Sequence, residues 1–426
     1  MGKYICGIYG EKGTEMKINI DPVISSRIKA AWAKLTPAQQ AELRPLILDA
    51  HQQAVTVSRT NKAPRVKAAP HHLMLAQSVL ANGLDDVANN LDAGVVVDVD
   101  SDGVIWGTGK YEQLDPGWLE AFAVFLENIF IGKHRFITTP VVAVMPDSIK
   151  IGLAGDWGTG DWRVGSNPAP STRVGSRLGS LGLDITIHLG DVYYAGTSDQ
   201  ELHELTNIWP RGATPSLALN SNHEMYSAAN PYFNAIAGAP FGMQNGCSYF
   251  ALENKNWVIV GLDSAYFSRE LGLYMDGSIG PAGGPQLTFL QVQIAKGKKV
   301  IILTHHNGLL EDGLSATKLW AEVMSGFASG AGPALWYWGH VHAGAVYKPF
   351  GPSNVPARCC GHGGLPWGQA SSLAASMNVA WHENRLADDP DIPQRVFNGF
   401  AVLSLNGPSV QETFYDENGG VAWTSP

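Results

Sequence analysis

The chain has 426 residues, which at roughly 150 residues per domain predicts two or three domains with a sizeable buried core. Hydrophobic residues make up 45% and charged ones 16%, against about 25% charged in an average soluble domain, which excludes a disordered chain or a solvated helical rod. The formal charge of -9 argues against nucleic acid or anionic lipid as a partner, and 48 glycines with 25 prolines point to a loop-rich α/β or β architecture.

The first twenty residues lack the continuous apolar core and small-residue cleavage site of a secretory leader. Cys6, Cys247, Cys359 and Cys360 form no disulfide framework in a chain this long. Both features predict a cytoplasmic, reducing setting, although a mature form already stripped of a leader would look the same. The apolar runs, such as Val141 to Val144 and Val300 to Leu303, are strand-sized and predict no membrane span. Residues 21 to about 58 read as two helices. The second opens at Thr36-Pro37-Ala38-Gln39, where Thr caps, Pro takes the first helical position and Gln completes the capping box. A basic, proline-bearing linker from Arg59 to Pro70 precedes a third helix over 71–91, and Asp115-Pro116 starts a fourth carrying Trp118, Leu119, Phe122, Phe125 and Leu126. Between the last two lies Asp98-Val99-Asp100-Ser101-Asp102-Gly103-Val104-Ile105, which matches the opening of a calcium-binding EF-hand loop. The match fails at its twelfth position, Gly109, where a bidentate Glu is needed, and the flanks are β-branched. An Asp-Gly hairpin turn is therefore expected, with a weak cation site as the competing reading.

After Pro146 short apolar strands alternate with helical stretches, so the chain divides into a mainly helical N-terminal domain with a short hairpin (1–146) and an α/β domain (147–426). Strands are predicted at Ile149 to Ala154, Asp184 to Leu189, Ser216 to Leu219, Val258 to Leu262, Lys299 to Thr304, Ala334 to Trp338, Asn398 to Leu405 and Ser409 to Tyr415. The helical stretches between them, Thr172 to Leu181, Gln200 to Trp209, Gln286 to Ala295 and Ala316 to Phe327, suggest a sheet covered on both faces.

The loops after these strands collect metal-type ligands: Gly155-Asp156-Trp157-Gly158, Gly190-Asp191-Val192-Tyr193-Tyr194, Ser221-Asn222-His223-Glu224, Thr304-His305-His306 and Gly339-His340-Val341-His342. An Asp after a strand is most often a turn residue, and a lone His at a sheet end is most often a satisfied polar group. In this order, at strand C-termini, they point instead to a two-metal hydrolytic site with Asp191 as the bridging carboxylate. Two residues apart in extended backbone, His340 and His342 point to one face and reach adjacent metals. Either histidine of the His305-His306 pair is suited to ligation.

The series G-D-W-G, G-D-V-Y-Y, S-N-H-E, I-L-T-H and G-H-V-H resembles the motifs of the purple acid phosphatases within the calcineurin-like metallophosphoesterases, over about residues 148 to 416. Gly158 stands where most metallophosphoesterases carry His; in the purple acid phosphatases the Tyr of the second motif takes that place, and Tyr194 has its spacing. The resemblance implies a metallophosphoesterase-type β-sandwich flanked by helices. It implies ferric iron held by Asp156, Tyr194, His342 and bridging Asp191, and a second ion, iron(II), zinc or manganese, held by Asn222, His305, His340 and Asp191. His305 is preferred over His306 because it holds the family's place in V-x-x-H. His223 would contact phosphate and protonate the leaving group while a metal-held hydroxide attacks phosphorus. Ser221 replaces the motif's Gly, and Ile302 its Val. The helical N-terminal domain is unlike the β-sandwich that precedes the catalytic domain in the larger plant-type members.

The expected activity is phosphomonoester hydrolysis. The alternatives are a phosphodiesterase acting on small diesters, or a non-catalytic docking protein working through its N-terminal helices. Trp157, Trp162, Tyr193, Tyr226 and Trp367 either rim the site or pack beneath its loops. Arg163, through its guanidinium fork, and His306 are candidate phosphate contacts, with solvated or supporting roles as the ordinary alternatives.

Overall fold

The structure is a computed structural model that describes residues 22–60, 62–63, 96–163, 165 and 167–426. The helix expected over 71–91 and most of the linker before it lie outside the described residues. No helix among the described residues is long and apolar enough to cross a membrane.

Helices α1 (Pro22–Trp32) and α2 (Pro37–Thr60) follow the predicted capping box, with Gln39 N donating to Thr36 Oγ1 at 3.3 Å and Thr36 N to Gln39 Oε1 at 2.9 Å. Leu43, Ala50, Ala54 and Val57 recur at helical spacing and form the buried stripe of α2. Strands β1 (Val96–Val99) and β2 (Ile105–Gly107) make the expected antiparallel hairpin. Asp100 is engaged by its own turn, Oδ1 accepting from the amides of Asp102 and Val104 and Oδ2 from Trp106 Nε1. Helix α3 (Trp118–Asn128) is buried on almost every side, from Trp118 to Leu126.

Two sheets follow. The eight-stranded sheet has the order β13 (Val379–His382), β11 (Gly344–Tyr347), β12 (Ala357–Cys360), β10 (Leu335–Trp338), β9 (Lys299–Leu303), β8 (Trp257–Gly261), β7 (Phe250–Glu253), β3 (Val142–Val144), and the six-stranded sheet the order β16 (Val421–Thr424), β15 (Ser409–Asp416), β14 (Gly399–Asn406), β4 (Ser148–Ala154), β5 (Ile185–His188), β6 (Leu217–Ala218). The strands that matter to the site are β4 (Ser148–Ala154), β5 (Ile185–His188) and β6 (Leu217–Ala218), mutually parallel, and β8 (Trp257–Gly261), β9 (Lys299–Leu303) and β10 (Leu335–Trp338), also parallel. Alternation divides their side chains. Ile149, Ile151, Leu153, Ile185, Ile187, Ile259, Ile301, Leu303 and Tyr337 face the opposite sheet, whereas Val258, Val260, Val300, Ile302, Trp336 and Trp338 pack under Leu287, Leu290, Leu319 and Val323 of the helices Pro285–Ile294 and Lys318–Met324. The architecture is the β-sandwich flanked by helices that the resemblance implies, in the order helix–sheet–sheet–helix; where strand and helix alternation alone suggests a sheet covered on both faces, one of the two covers is the other sheet. Between the sheets the Glu412 carboxylate takes both arms of the Arg358 guanidinium at 2.8 Å and the Tyr337 hydroxyl at 2.5 Å, so its buried charge is paired. Cys359 and Cys360 (β12, Ala357–Cys360) alternate in the same way, one in each core layer, and are free thiols.

The outer face of the six-stranded sheet is covered by the helix Pro170–Ser180, and the N-terminal helices join the same apolar layer through Trp118–Asn128. One apolar cluster runs from Ile28 and Leu43 through Trp118 and Phe125 to Tyr193, Tyr226 and Val402. The expected boundary at residue 146 therefore falls inside continuous packing, and β3 (Val142–Val144), just before it, pairs with β7 (Phe250–Glu253) of the large sheet.

In the α3 approach Glu112 is 3% exposed and accepts from Gly109 N at 2.7 Å. Burial, with the nearby charge of Asp115, raises its pKa from 4.5 to about 7. The folded state then binds this proton more tightly than the unfolded chain, so stability is lost as pH rises from about 4.5 to about 7. Glu112→Gln keeps the acceptor and removes the charge. Its unfolding free energy, from denaturant titration, should exceed wild type at pH 8 by at most about 3 kcal/mol, with the gain vanishing toward pH 4; a gain independent of pH would contradict this assignment.

Candidate metal centre

The C-terminal ends of the parallel strands of both sheets meet at one place. Asp156 follows β4, Asp191 follows β5, Asn222 and His223 follow β6, His305 follows β9, and His340 and His342 follow β10. The turns there are tight. Asp156, Asp191 and His340 have φ of +54, +78 and +65°, a left-handed conformation that is costly for a side-chain-bearing residue and collects at functional sites. Gly190 (φ +103°) could carry no side chain, since a Cβ would lie 2.6 Å from His305 Nδ1 and 2.9 Å from Ser221 Cβ.

Two groups of ligand atoms result. In the first, His342 Nε2 lies 3.3 Å from Asp156 Oδ1, and the Tyr193 hydroxyl lies 2.7 Å from Asp191 Oδ2, 3.3 Å from His342 Nε2 and 3.4 Å from Asp156 Oδ1. In the second, His305 Nε2 lies 2.9 Å from Asn222 Oδ1, 3.2 Å from His340 Nδ1 and 3.3 Å from Asp191 Oδ1. Asp191 belongs to both, one carboxylate oxygen facing each group.

The donors and acceptors of the second group do not pair among themselves. His305 Nδ1 faces the Leu189 carbonyl at 2.9 Å and carries the proton there, leaving Nε2 a lone pair. Asn222 Nδ2 donates to Tyr226 Oη at 3.0 Å, which turns Oδ1 toward the two imidazoles. A single N–H on His340 Nδ1 can serve only one neighbour, so lone pairs of His305, Asn222 and Asp191 converge. A cation at their centre is the group that fits this donor set, and the Leu189 carbonyl and Tyr226 hydroxyl orient its ligands from behind.

The electrostatics agree. Burial pushes the Asp191 carboxyl up, but His223, His305, His340 and the Ser221 hydroxyl outweigh it and hold it well below the usual carboxylate range. Burial and the Asp191 charge push Asp156 well above that range. Burial lowers His305 and His340, and lowers His342 to about 3, so the imidazoles keep their lone pairs. Asp156, Asp191, Asn222, His305 and His342 are at most 2% exposed, while His340 is half-buried and marks the opening.

His223 stands beside Asp191, its Nδ1 against the Tyr194 carbonyl at 2.6 Å and its Nε2, otherwise without a hydrogen bond, 3.8 Å from Asp191 Oδ2. His306 lies next to His305 and His340, but both its nitrogens are engaged, by Ser264 Oγ at 2.9 Å and the Tyr274 carbonyl at 2.7 Å. Distance alone groups it with those two histidines; hydrogen bonding assigns it a supporting place. Arg163, expected at the phosphate, donates to Asp389 at 2.6 Å with its side chain 4% exposed, in an ion network with Arg395 and Glu417.

Tyr194 differs from expectation. Its hydroxyl donates to Asp115, and its ring packs against Tyr111 and Trp118 at 4.8 Å. The segment is extended at Val192, which bridges to Gly158, so side chains alternate and Tyr193, two residues after Asp191, returns to the ligand side. Motif spacing singles out Tyr194, whereas the structure brings Tyr193 beside Asp191; the parity of an extended strand is the signal that distinguishes them. Sequence reasoning also missed Ser221 as a partner of Asp191, Glu224 behind Ser221, and the aromatic wall from the N-terminal segment. There Trp118 lies 6.0 Å from the rings of Tyr193 and His223, and Phe125 lies 6.1 Å from Tyr226. Trp367 is edge-on to His342 at 4.8 Å and is held by the hairpin turn through Nε1 to Asp102 O at 2.8 Å. Trp157, by contrast, is 1% exposed and donates to Ser171 O, a core residue beneath the loops.

No protein-family model and no curated protein matches the chain. Among solved structures it is similar to GAP50, the anchor in the inner membrane complex of Plasmodium, with a TM-score of 0.45 at 12% identity over 65% of this chain and 88% of that one. It is similar also to a dimetal phosphatase from Danio rerio, with a TM-score of 0.42 at 13% identity over 65% and 98% of the two chains.

The two tyrosines are separable by experiment. In protein loaded with ferric iron, Tyr193→Phe should abolish the visible phenolate-to-iron absorption. Tyr194→Phe should keep it and lose about 1–2 kcal/mol of stability through the Asp115 hydrogen bond. The opposite pattern in the absorption spectrum would return the ligand role to Tyr194.

Proposed function

We propose that this chain is a dinuclear metal-dependent phosphohydrolase of the purple acid phosphatase kind, acting on phosphomonoesters. The observation that carries the reading is the sharing of Asp191 between two groups of converging ligand atoms. Asp156, Asp191, Tyr193 and His342 would hold one ion, and Asp191, Asn222, His305 and His340 the other. The donor types suit ferric iron at the tyrosine side and iron(II), zinc or manganese at the Asn–His side. Two cations there supply Lewis acidity toward phosphoryl oxygens and water.

The chain's own residues do the rest. His223 is oriented by its Nδ1 contact to the Tyr194 carbonyl, so Nε2 is the atom that delivers a proton to the departing alkoxide. The aromatic wall of Trp118, Tyr193 and Tyr226 around His223 keeps bulk water from that proton. Monoesters are favoured because the ligands are closed in except beside His340, an approach that suits a terminal phosphoryl group better than one substituted on two sides.

Turnover of an alkyl phosphate, of 4-nitrophenyl phosphate and of bis(4-nitrophenyl) phosphate tests this. Wild type should prefer the monoesters. His223→Ala should lose about 10²-fold in kcat on the alkyl ester and much less on the nitrophenyl ester, whose leaving group needs no proton. Faster diester turnover, or equal losses on both monoesters, would count against the reading.

A further inference from the structure

We propose that Ser221 and Glu224 are positioning residues, a two-step hydrogen-bond relay that fixes the plane of the Asp191 carboxylate so that one oxygen faces each ligand group. The inference rests on the dinuclear reading above.

Ser221 Oγ contacts both Asp191 Oδ1 and Glu224 Oε2, and it also accepts from His223 N at 3.0 Å as the N-cap of the helix Asn222–Tyr226. Ser221 Oγ thus joins the two carboxylates. Glu224 is 0% exposed and backs the hydroxyl on the side away from Asp191, while the N-cap bond from His223 N fixes the same oxygen on the helix.

The consequence is directional. In the metal-free chain Ser221 pins Oδ1, which lies 3.3 Å from His305 Nε2, and the Tyr193 hydroxyl lies against Oδ2 at 2.7 Å. With both oxygens held, the carboxylate cannot rotate to give both atoms to one group. A glycine at 221 would supply no such donor.

Calorimetric titration of Mn(II) into metal-stripped protein reads this out. Wild type should take up two equivalents. Ser221→Ala and Glu224→Ala should each weaken uptake about 10- to 100-fold at unchanged helix content by circular dichroism. Glu224→Gln, whose amide keeps a hydrogen-bonding contact with Ser221, should stay within about threefold of wild type, a rescue that a merely space-filling role does not require. Two equivalents in wild type with unchanged affinity in Ser221→Ala overturns the relay and leaves the dinuclear reading standing, as does Glu224→Gln behaving like Glu224→Ala. A wild-type protein that takes up no metal overturns both.

Discussion

The carboxylate of Asp191 is the group on which the site depends. It lies where β5 leaves the six-stranded sheet, 1% exposed, with three imidazoles, two hydroxyls and a second carboxylate around it. A charge so deeply buried persists only where partners replace water, and the partners here arrive from the ends of β4, β5, β6, β9 and β10. The two sheets must therefore meet at one edge, and the glycines at 190 and 339 must stay without side chains, since a Cβ at either would enter the space of His305 or Asp156. Left-handed backbone at three ligand residues costs of order 1 kcal/mol each, which the two packed sheets sustain.

The N-terminal segment is structurally part of this arrangement. Trp118 and Phe125 of α3 close over Tyr193, His223 and Tyr226, Asp115 takes the Tyr194 hydroxyl, and the hairpin turn holds Trp367 against His342. Gly117 lacks a side chain where a Cβ would lie 2.4 Å from the Tyr194 ring, which lets the helix approach this closely. The helices thus wall the candidate site.

The strands and their terminal ligands were legible because ligand chemistry sits at the ends of short apolar runs, and β4, β5, β9 and β10 each end within a residue or two of their predicted positions. Layer order was legible only through the motif resemblance, which implied the sandwich. A strand buried on both faces has the same sequence whether its cover is a helix or a second sheet, so the two-sheet sandwich was not apparent from composition or period. Short strands such as β3, β7 and β13 carried too few residues for a periodic signal. The exchange of Tyr193 for Tyr194 has a similar origin: neighbouring aromatic residues are equivalent in composition, and only strand parity and the acceptor at Asp115, distant in sequence, separate them. Arg163 was likewise attractive by type, but Asp389, more than two hundred residues away, takes its guanidinium.

If the Asp191 carboxylate joins two cation sites, removing it empties both. Elemental analysis of purified wild-type and Asp191→Ala protein decides this. Two metal equivalents per chain are expected in the wild type and loss at both sites in the variant, with His305 and His342 unchanged in sequence. One equivalent retained at full affinity in the variant, or a wild type devoid of metal after reconstitution, would contradict it.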